Sequence, residues 1–273
     1  MTFSVKFWGV RGHIAVSLPT HIKFGGNTSC VEVRLDDHLV IFNAGTGIRE
    51  LGRQLMQNQP KNIAVLFTHS SWDHITGFPF FAPAFMSQLN LSICAGHLKK
   101  YGGIHNILSG QMVGPMFPIP IETMQAKMNF IDFDAGEDLD VVEGAKIRTA
   151  PLRHPNGATG YRIEYGGKSL AMVAPTGHVE GQDDPNVLRL MKDADLVIYD
   201  CTFTAAEFAS RRESGNSTWN EGVRLCQLAG AKRMAMFHYS PYHDDNTITA
   251  MEKEAQAVWP GVFAAHDYME VDV

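Results

Sequence analysis

Short apolar runs bounded by turn residues recur along the chain and alternate with stretches of helical periodicity. The strand-like runs are Phe3–Trp8, Cys30–Leu35, His38–Asn43, Ile63–Phe67, Lys146–Ala150, Tyr161–Tyr165, Ser169–Val173, Leu196–Tyr199 and Arg233–Phe237. The helix-like stretches are Gly47–Met56, Asn186–Met191, Trp219–Leu228 and Thr247–Val258. Strands that alternate with helices predict a layered α/β domain with buried strands.

No low-complexity linker, repeat or charge block interrupts this pattern. The chain has 273 residues, 45% of them hydrophobic, which is enough to bury a substantial core. We therefore expect one domain over residues 1–273. The stretch Ser109–Met124 is rich in Gly, Pro and Met and lacks periodicity, so it is predicted to be a loop that could cover a cleft.

Charge and cysteine content narrow the class of protein. A net charge of −6 argues against an extended nucleic-acid surface, which needs clustered Lys and Arg, but not against a small phosphate-containing substrate. The cysteines Cys30, Cys94, Cys201 and Cys226 form no CxxC pair, which suits neither a zinc ribbon nor a dense disulfide framework. No signal peptide and no apolar run of about 18 residues is present. The sequence therefore predicts a protein of the reducing cytoplasm that binds no membrane. It does not decide whether the chain forms a homo-oligomer.

Polar side chains follow several predicted strands directly. The run Ile63–Phe67 leads through Thr68 to His69, Leu196–Tyr199 ends on Asp200, and Arg233–Phe237 ends on His238. In open α/β sheets, ligands bind beyond the carboxyl ends of strands. These positions are therefore candidates for a functional site.

The densest cluster of candidate ligands lies in the segment Thr68–His74. His69, Asp73 and His74 offer imidazole and carboxylate groups, which zinc, iron and manganese prefer, provided that the backbone turns sharply after the strand. Taken alone, the cluster also fits an ordinary surface, with Asp73 capping a helix. His154, before Pro155, and His238 add turn-like histidines whose joint occurrence with the cluster favours a metal site.

These motifs together resemble the metallo-β-lactamase superfamily, in its phosphodiesterase-like branch related to tRNase Z and cyclic-nucleotide phosphodiesterases. The resemblance covers nearly the whole chain and is carried by Phe7–Gly12, Gly25–Cys30, Ala44–Gly47, His69–His74, His154-Pro155 and His238. It implies an αββα sandwich, in which two mixed β-sheets pack face to face with helices outside. It also implies a metal site along one edge.

The family signature is HxHxDH followed by a His, a bridging Asp and a final His. Two metal ions about 3.5–4 Å apart share a hydroxide nucleophile in sites of this kind. Carried over by position, the resemblance assigns His69 and His154 to the first metal, which we call the first half-site. It assigns Asp73, His74 and His238 to the second metal, the second half-site.

The chain departs from this signature at positions that bind or surround the metals. Ser71 stands where the second histidine is expected, and Pro175 stands where the bridging aspartate is expected. Asn43 replaces the aspartate that usually precedes Ala-Gly-Thr-Gly, and Asn216 replaces a histidine before Ser-Thr-Trp. Serine is a poor ligand for these metals and proline has no side-chain donor, so two metal ligands are missing.

The remaining residues predict one divalent metal per chain rather than two, with zinc expected and manganese or iron as alternatives. Asp73, His74 and His238 form a two-histidine, one-carboxylate set with open positions. A site without a useful metal is the first alternative. The other is a restored two-metal site in which His178, His13 or Asp200 becomes a ligand, although a substrate-contacting or structural role for His13 and His178 fits the sequence better.

The expected function is a metal-dependent hydrolase of a phosphodiester or similar small ester, with a metal-bound hydroxide as nucleophile. His154, His178 and Asp200 are the candidates for orienting water or protonating the leaving group. The alternative is a catalytically degenerate binding or sensing protein that keeps the cleft. Redox chemistry at a mononuclear iron is a third hypothesis.

Overall fold

The computed structural model describes residues 2–58 and 60–273. In these residues the strands form two sheets. The first contains β1 (Phe3–Gly9), β2 (Cys30–Leu35), β3 (His38–Phe42), β4 (Asn62–Phe67), β5 (Asn90–Ala95), β6 (Lys127–Asp132) and, at the far end of the chain, β13 (Glu270–Asp272). Its strand order is β13-β1-β2-β3-β4-β5-β6, antiparallel from β13 to β3 and parallel from β3 to β6.

The second sheet contains β7 (Lys146–Leu152), β8 (Ala158–Tyr165), β9 (Lys168–Val173), β10 (Leu196–Asp200), β11 (Met234–Phe237) and β12 (Val262–Ala264). Its order is β12-β11-β10-β9-β8-β7, with β9 to β12 parallel. The helices are α1 (Ile48–Asn58), α2 (Trp72–Ile75), α3 (Gly103–Gln111), α4 (Pro185–Met191), α5 (Ala205–Phe208), α6 (Trp219–Ala229) and α7 (Asp245–Val258). Among the described residues, no helix is both long and apolar enough to cross a bilayer.

The apolar strands are buried on both faces, as β3 illustrates. Val40 and Phe42 belong to the core between the sheets, where the rings of Phe42 and Tyr161 lie 5.5 Å apart. Leu39 and Ile41 point the other way and pack in the cluster that contains α1. Because successive strand residues face opposite sides, a strand covered on both faces has a continuous apolar sequence. The predicted αββα metallo-β-lactamase sandwich is confirmed.

The predicted strands and helices all occur, with ends shifted by a few residues. The sequence reading missed β5, β6, β12, β13 and α3, together with the short helices α2 and α5. Ser109–Met124 is irregular apart from the end of α3 and a 3-10 turn at Ile121–Thr123. This stretch is not among the described residues that line the cavity at the candidate site, so its covering of a cleft stays a prediction.

Candidate metal centre

The candidate site lies at the edge where the parallel strands of both sheets end. His69 follows β4, His154 follows β7, and His238 follows β11. Hydrogen bonds join the sheets here: Thr159 N donates to Thr68 O (2.8 Å) and Tyr161 Oη donates to Phe67 O (2.8 Å). The sandwich therefore brings together segments that are far apart in sequence, around a cavity of about 330 Å³.

The second half-site is a compact cluster of donor atoms. One ligand atom each from Asp73, His74 and His238 lies within 4.8 Å of the others, and all three residues are buried. His238 Nε2 is 3.0 Å from Asp73 Oδ2, and His74 Nδ1 is 3.2 Å from Asp73 Oδ1. The contact with Asp73 lacks the angles of a hydrogen bond, so neither ring nitrogen of His74 has a hydrogen-bond partner within residues 2–58 and 60–273. A cation would satisfy such a buried imidazole, so these residues fit a metal ion.

Local backbone features hold this cluster in place. Asp73 and His74 lie in α2, whose single turn follows directly after the sharp bend at Ser70-Ser71. His238 has a left-handed backbone (φ 63°), which is uncommon for a residue other than glycine and is found often at functional sites. Gly12 allows the opposite loop to approach, because a Cβ there would lie 2.5 Å from the His238 ring.

In the second half-site, the carboxylate of Asp73 and the imidazole of His238 favour each other's charged forms. Burial alone would raise the pKa of Asp73, but the neighbouring His74 and the hydrogen bond to His238 hold it well below its usual range. Burial would lower the pKa of His238, yet the hydrogen bond to Asp73 and the charge of Asp200 raise it above its usual value. The backbone N of His13 also donates to Asp73 Oδ2 (2.8 Å). Asp73 is therefore an anion under ordinary conditions.

Asp200 supports this cluster from behind. It is fully buried, its Oδ1 lies 2.7 Å from the Thr202 hydroxyl, and its Oδ2 accepts from Asn216 Nδ2 (2.9 Å) and Thr176 N (3.2 Å). The single proton of the Thr202 hydroxyl goes to Asp200 Oδ1 or to His238 O, both 2.7 Å away, so in either case its oxygen accepts from His238 Nδ1 at 2.9 Å. That hydrogen bond leaves His238 Nε2 as the nitrogen that faces Asp73, which is the usual arrangement behind a metal-binding histidine.

The first half-site is arranged differently. His69 Nε2 and His154 Nδ1 lie 2.7 Å apart and form a hydrogen bond with each other. His69 Nδ1 accepts from the backbone N–H groups of Ser70 and Ser71, each at 2.7 Å. Because Nδ1 is an acceptor, the proton of neutral His69 is on Nε2, so neither nitrogen has a free lone pair. With Ser71 and Pro175 at the other ligand positions, these residues do not fit a first metal ion.

Comparisons with known proteins agree with this architecture. The profile of the β-lactamase superfamily domain matches residues 38–239, which is about three quarters of the chain. The chain belongs to the β-lactamase superfamily. The resemblance carried by the sequence motifs is thereby confirmed.

Individual members of the superfamily match over nearly their full length. Ribonuclease Z of Acaryochloris marina is 26% identical over 308 residues, covering 90% of this chain and 92% of its own. The metallo-β-lactamase fold protein YhfI from Bacillus subtilis superposes with a TM-score of 0.75 at 17% identity, covering 99% of both chains. Zn²⁺-bound PqqB from Methylobacterium extorquens gives a TM-score of 0.71 at 15% identity over 99% and 100% of the chains.

His13 and His178, which the sequence offers as alternative ligands, differ in position: His13 lines the cavity of the site and His178 does not. His13 reaches the cavity, where its Nε2 lies 3.3 Å from Asn216 Oδ1. His178 lies outside it: the ring stacks on Phe208 with 4.0 Å between centroids, and Nδ1 lies 2.7 Å from Ser217 Oγ. His178 lines a neighbouring cavity of about 290 Å³ instead.

One histidine of the site was missed by the sequence reading. His97 follows β5, and its ring stacks on His69 at 5.8 Å between centroids. Its Nε2 is buried and unpartnered in the described chain, and burial lowers its pKa to about 4. The signal was present, because the apolar run Ile93-Cys94-Ala95 leads to His97 as the run before it leads to His69.

Proposed function

We propose that this chain is a metal-dependent hydrolase of a phosphodiester or a similar small ester. We assign one divalent cation to it, most simply zinc, held by Asp73, His74 and His238. The observation that carries the proposal is the buried three-donor cluster next to a cavity, with both ring nitrogens of His74 unpartnered in the described residues. A cation bound there supplies Lewis-acid chemistry, which activates water near neutral pH and neutralises charge on the reacting group.

The surrounding residues have distinct tasks in this proposal. Asp73 supplies the single carboxylate, and His13 N fixes the orientation of that carboxylate. Asp200 acts through Thr202 on His238, so it is a positioning residue rather than a group that touches substrate. Among the candidates for contact with the substrate, His154 lines the cavity, whereas His178 does not.

The size and charge of the site favour a small substrate. A cavity of about 330 Å³ is at the lower end of the range for small-molecule sites. The relatives named Ribonuclease Z support phosphodiester chemistry, while the net charge of −6 argues against a long nucleic acid.

Elemental analysis combined with an activity assay tests the proposal. We expect about one zinc or manganese per chain after dialysis, and metal-dependent cleavage of bis(4-nitrophenyl) phosphate. His74→Ala should abolish both, whereas His105→Ala, which removes an exposed histidine on α3, should change neither. Retention of metal by His74→Ala would contradict the proposed site, and iron would favour the redox alternative.

A binding or sensing protein is the second candidate function. Ser71, Pro175 and Asn216 line the cavity at positions where the family pattern has two metal ligands and a further histidine, which favours loss of catalysis with retention of the cleft. Binding of one metal without cleavage of any phosphodiester probe would support this candidate.

A further inference from the structure

His154 stands in the first half-site, yet its hydrogen bonds suit a different task from metal binding. We propose that His154 is a neutral hydrogen-bond donor, through Nε2–H, to an anionic oxygen of the substrate. His69 is the positioning residue that fixes this state. The inference rests on the proposed function for the identity of the ligand, but its structural core concerns only the placement of two protons.

The first step is the proton on His69. The backbone N–H groups of Ser70 and Ser71 both point at its Nδ1, and a backbone amide can only donate. Nδ1 is therefore the acceptor nitrogen of the neutral ring, and Nε2 carries the proton. His69 is 1% exposed, and a ring whose Nδ1 accepts from two backbone N–H groups is neutral.

The second step is the position of the proton on His154, which follows from that on His69. His69 Nε2–H donates to His154 Nδ1 at 2.7 Å, and Asn156 N approaches the same atom at 3.3 Å. His154 Nδ1 is therefore an acceptor too, and Nε2 of the neutral ring carries the proton. The backbone turn at Ser70-Ser71 thus determines the tautomer of a histidine more than 80 residues further along the chain.

The third step is access to a ligand. In the part of the chain that the structure describes, His154 Nε2 has no hydrogen-bond partner, and it is not sealed from solvent. The His154 ring lines both the metal-centre cavity and an adjoining cavity of about 460 Å³, which Arg153, Arg212 and the acidic Glu213 also line. Because Nδ1 accepts from His69 and from Asn156 N, it carries no proton, and the ring is neutral.

In this proposal, the N–H group of His154 takes the place of the first metal ion as the group that stabilises negative charge on the substrate. A second cation would stabilise charge on a phosphoryl or acyl oxygen, and a preorganised N–H does the same in an oxyanion hole. No covalent bond forms at His154, and it keeps its proton throughout. The half-site that does not fit a metal ion therefore supplies a fixed donor in the cavity that Asp73, His74 and His238 also line.

The tautomers are tested by NMR on protein with ¹⁵N-labelled histidine. We expect two-bond ¹H–¹⁵N correlations to place the proton on Nε2 of both His69 and His154 at pH 7. The same pattern should persist after one equivalent of Zn²⁺ is added. A proton on Nδ1 of either residue, or a zinc-induced shift of its Nε2 to the range of bound nitrogen, would overturn the inference. This readout does not require catalysis, so it stands even if the proposed hydrolysis fails.

The donor is tested with zinc-loaded protein and inorganic phosphate in a calorimetric titration. A hydrogen bond to a charged group is strong, so His154→Ala should weaken phosphate binding roughly 10- to 100-fold while keeping the zinc content. His154→Gln, which retains an N–H donor, should recover part of the affinity, and His105→Ala should match wild type. Equal phosphate affinity of wild type and His154→Ala, or loss of zinc in His154→Ala, would overturn the proposal.

Discussion

The histidines of the two half-sites differ in the group that faces their Nδ1 atom. His238 Nδ1 faces the hydroxyl of Thr202, so its Nε2 is turned toward Asp73. His69 Nδ1 faces the backbone N–H groups of Ser70 and Ser71, so its Nε2 holds a proton and donates to His154. His238 Nε2 faces the anionic Asp73, where a cation in the proposed site would replace its proton, whereas the Nε2 proton of His69 is donated to His154.

On this proposal, the residue type at a ligand position does not by itself identify a metal ligand. A metal-binding histidine usually donates its other N–H to an acceptor, and that partner fixes both tautomer and orientation. The first half-site retains His69 and His154 from the family pattern but not this partnership. The second half-site retains both the ligands and the supporting groups.

The largest expected effect comes from removing a ligand in each half-site. His74→Ala should weaken zinc binding by more than about 100-fold, because three protein ligands become two. His69→Ala should leave one zinc per chain, since His69 binds His154 and not the cation. Elemental analysis after dialysis measures both variants, and zinc loss in His69→Ala of the same size would remove the distinction between the half-sites.

Restoring the missing ligands is the next test. Ser71→His together with Pro175→Asp should raise the zinc content from about one to about two per chain. Two ions stabilise the attacking and the leaving oxygens, so cleavage of bis(4-nitrophenyl) phosphate should also increase. Pro175 has a fixed φ and no N–H, so its replacement strains a backbone path that suits proline, and the metal gain should exceed the activity gain.

The outcome of the double variant separates a remodelled enzyme from a degenerate one. If wild type, with one zinc, already cleaves the ester faster than the double variant, the single-metal site is a working catalyst. If only the double variant cleaves it, the departures represent loss of activity.

A smaller effect is expected from filling the space beside His238. In Gly12→Ala, the new Cβ would lie 2.5 Å from the His238 ring, so the ring must shift. Displacing the surroundings of a ligand typically costs 10- to 100-fold in metal affinity, and we expect roughly tenfold here. Gly110→Ala is the control, because a Cβ at that glycine meets no atom within 4 Å. Unchanged zinc affinity in Gly12→Ala would argue that His238 is not a ligand.

The smallest expected effect concerns Asp267, which belongs to neither half-site. It is an effect of pH on the stability of the whole fold. Burial raises the pKa of Asp267 from its ordinary value of 3.8 to about 6. The folded protein therefore binds this proton more tightly than the unfolded chain, and the free energy of unfolding falls as pH rises from about 4 to about 6. Asp267→Asn should remove that slope in urea unfolding with a chelator present. An unchanged slope would assign the acid effect to other groups.

The strands beside the site show why the sequence predicted most of the fold but not all of it. β3, β4, β9 and β10 are covered on both faces, so their runs are continuously apolar and easy to recognise. β5 carries Asn90 and Ser92 and β6 carries Lys127 and Asn129, which break the apolar pattern. Because β5 was missed, the histidine that follows it, His97, was missed as well.

The residues of the site could be predicted from the sequence, whereas their tautomers could not. Strand ends and family motifs were sufficient to select His69, Asp73, His74, His154 and His238, which the fold brings to one edge. The tautomers of His69 and His154 depend on the direction of two backbone N–H bonds, which no residue pattern specifies. His178 lies outside the cavity because its ring stacks on Phe208, and that contact also depends on the tertiary structure.

The unpartnered imidazole of His74 connects metal loading to the folding equilibrium. Both ring nitrogens are buried without a hydrogen bond in the described chain, and each such group costs about 1–3 kcal/mol. A cation that binds the folded state alone lowers its free energy by RT ln(1 + [L]/Kd), and in the proposed site it would offset the part of this cost that belongs to the coordinating nitrogen. If the proposed site binds its cation, the melting temperature of the protein should rise with the free cation concentration, and a chelated cell extract would contain a less stable form of the same chain.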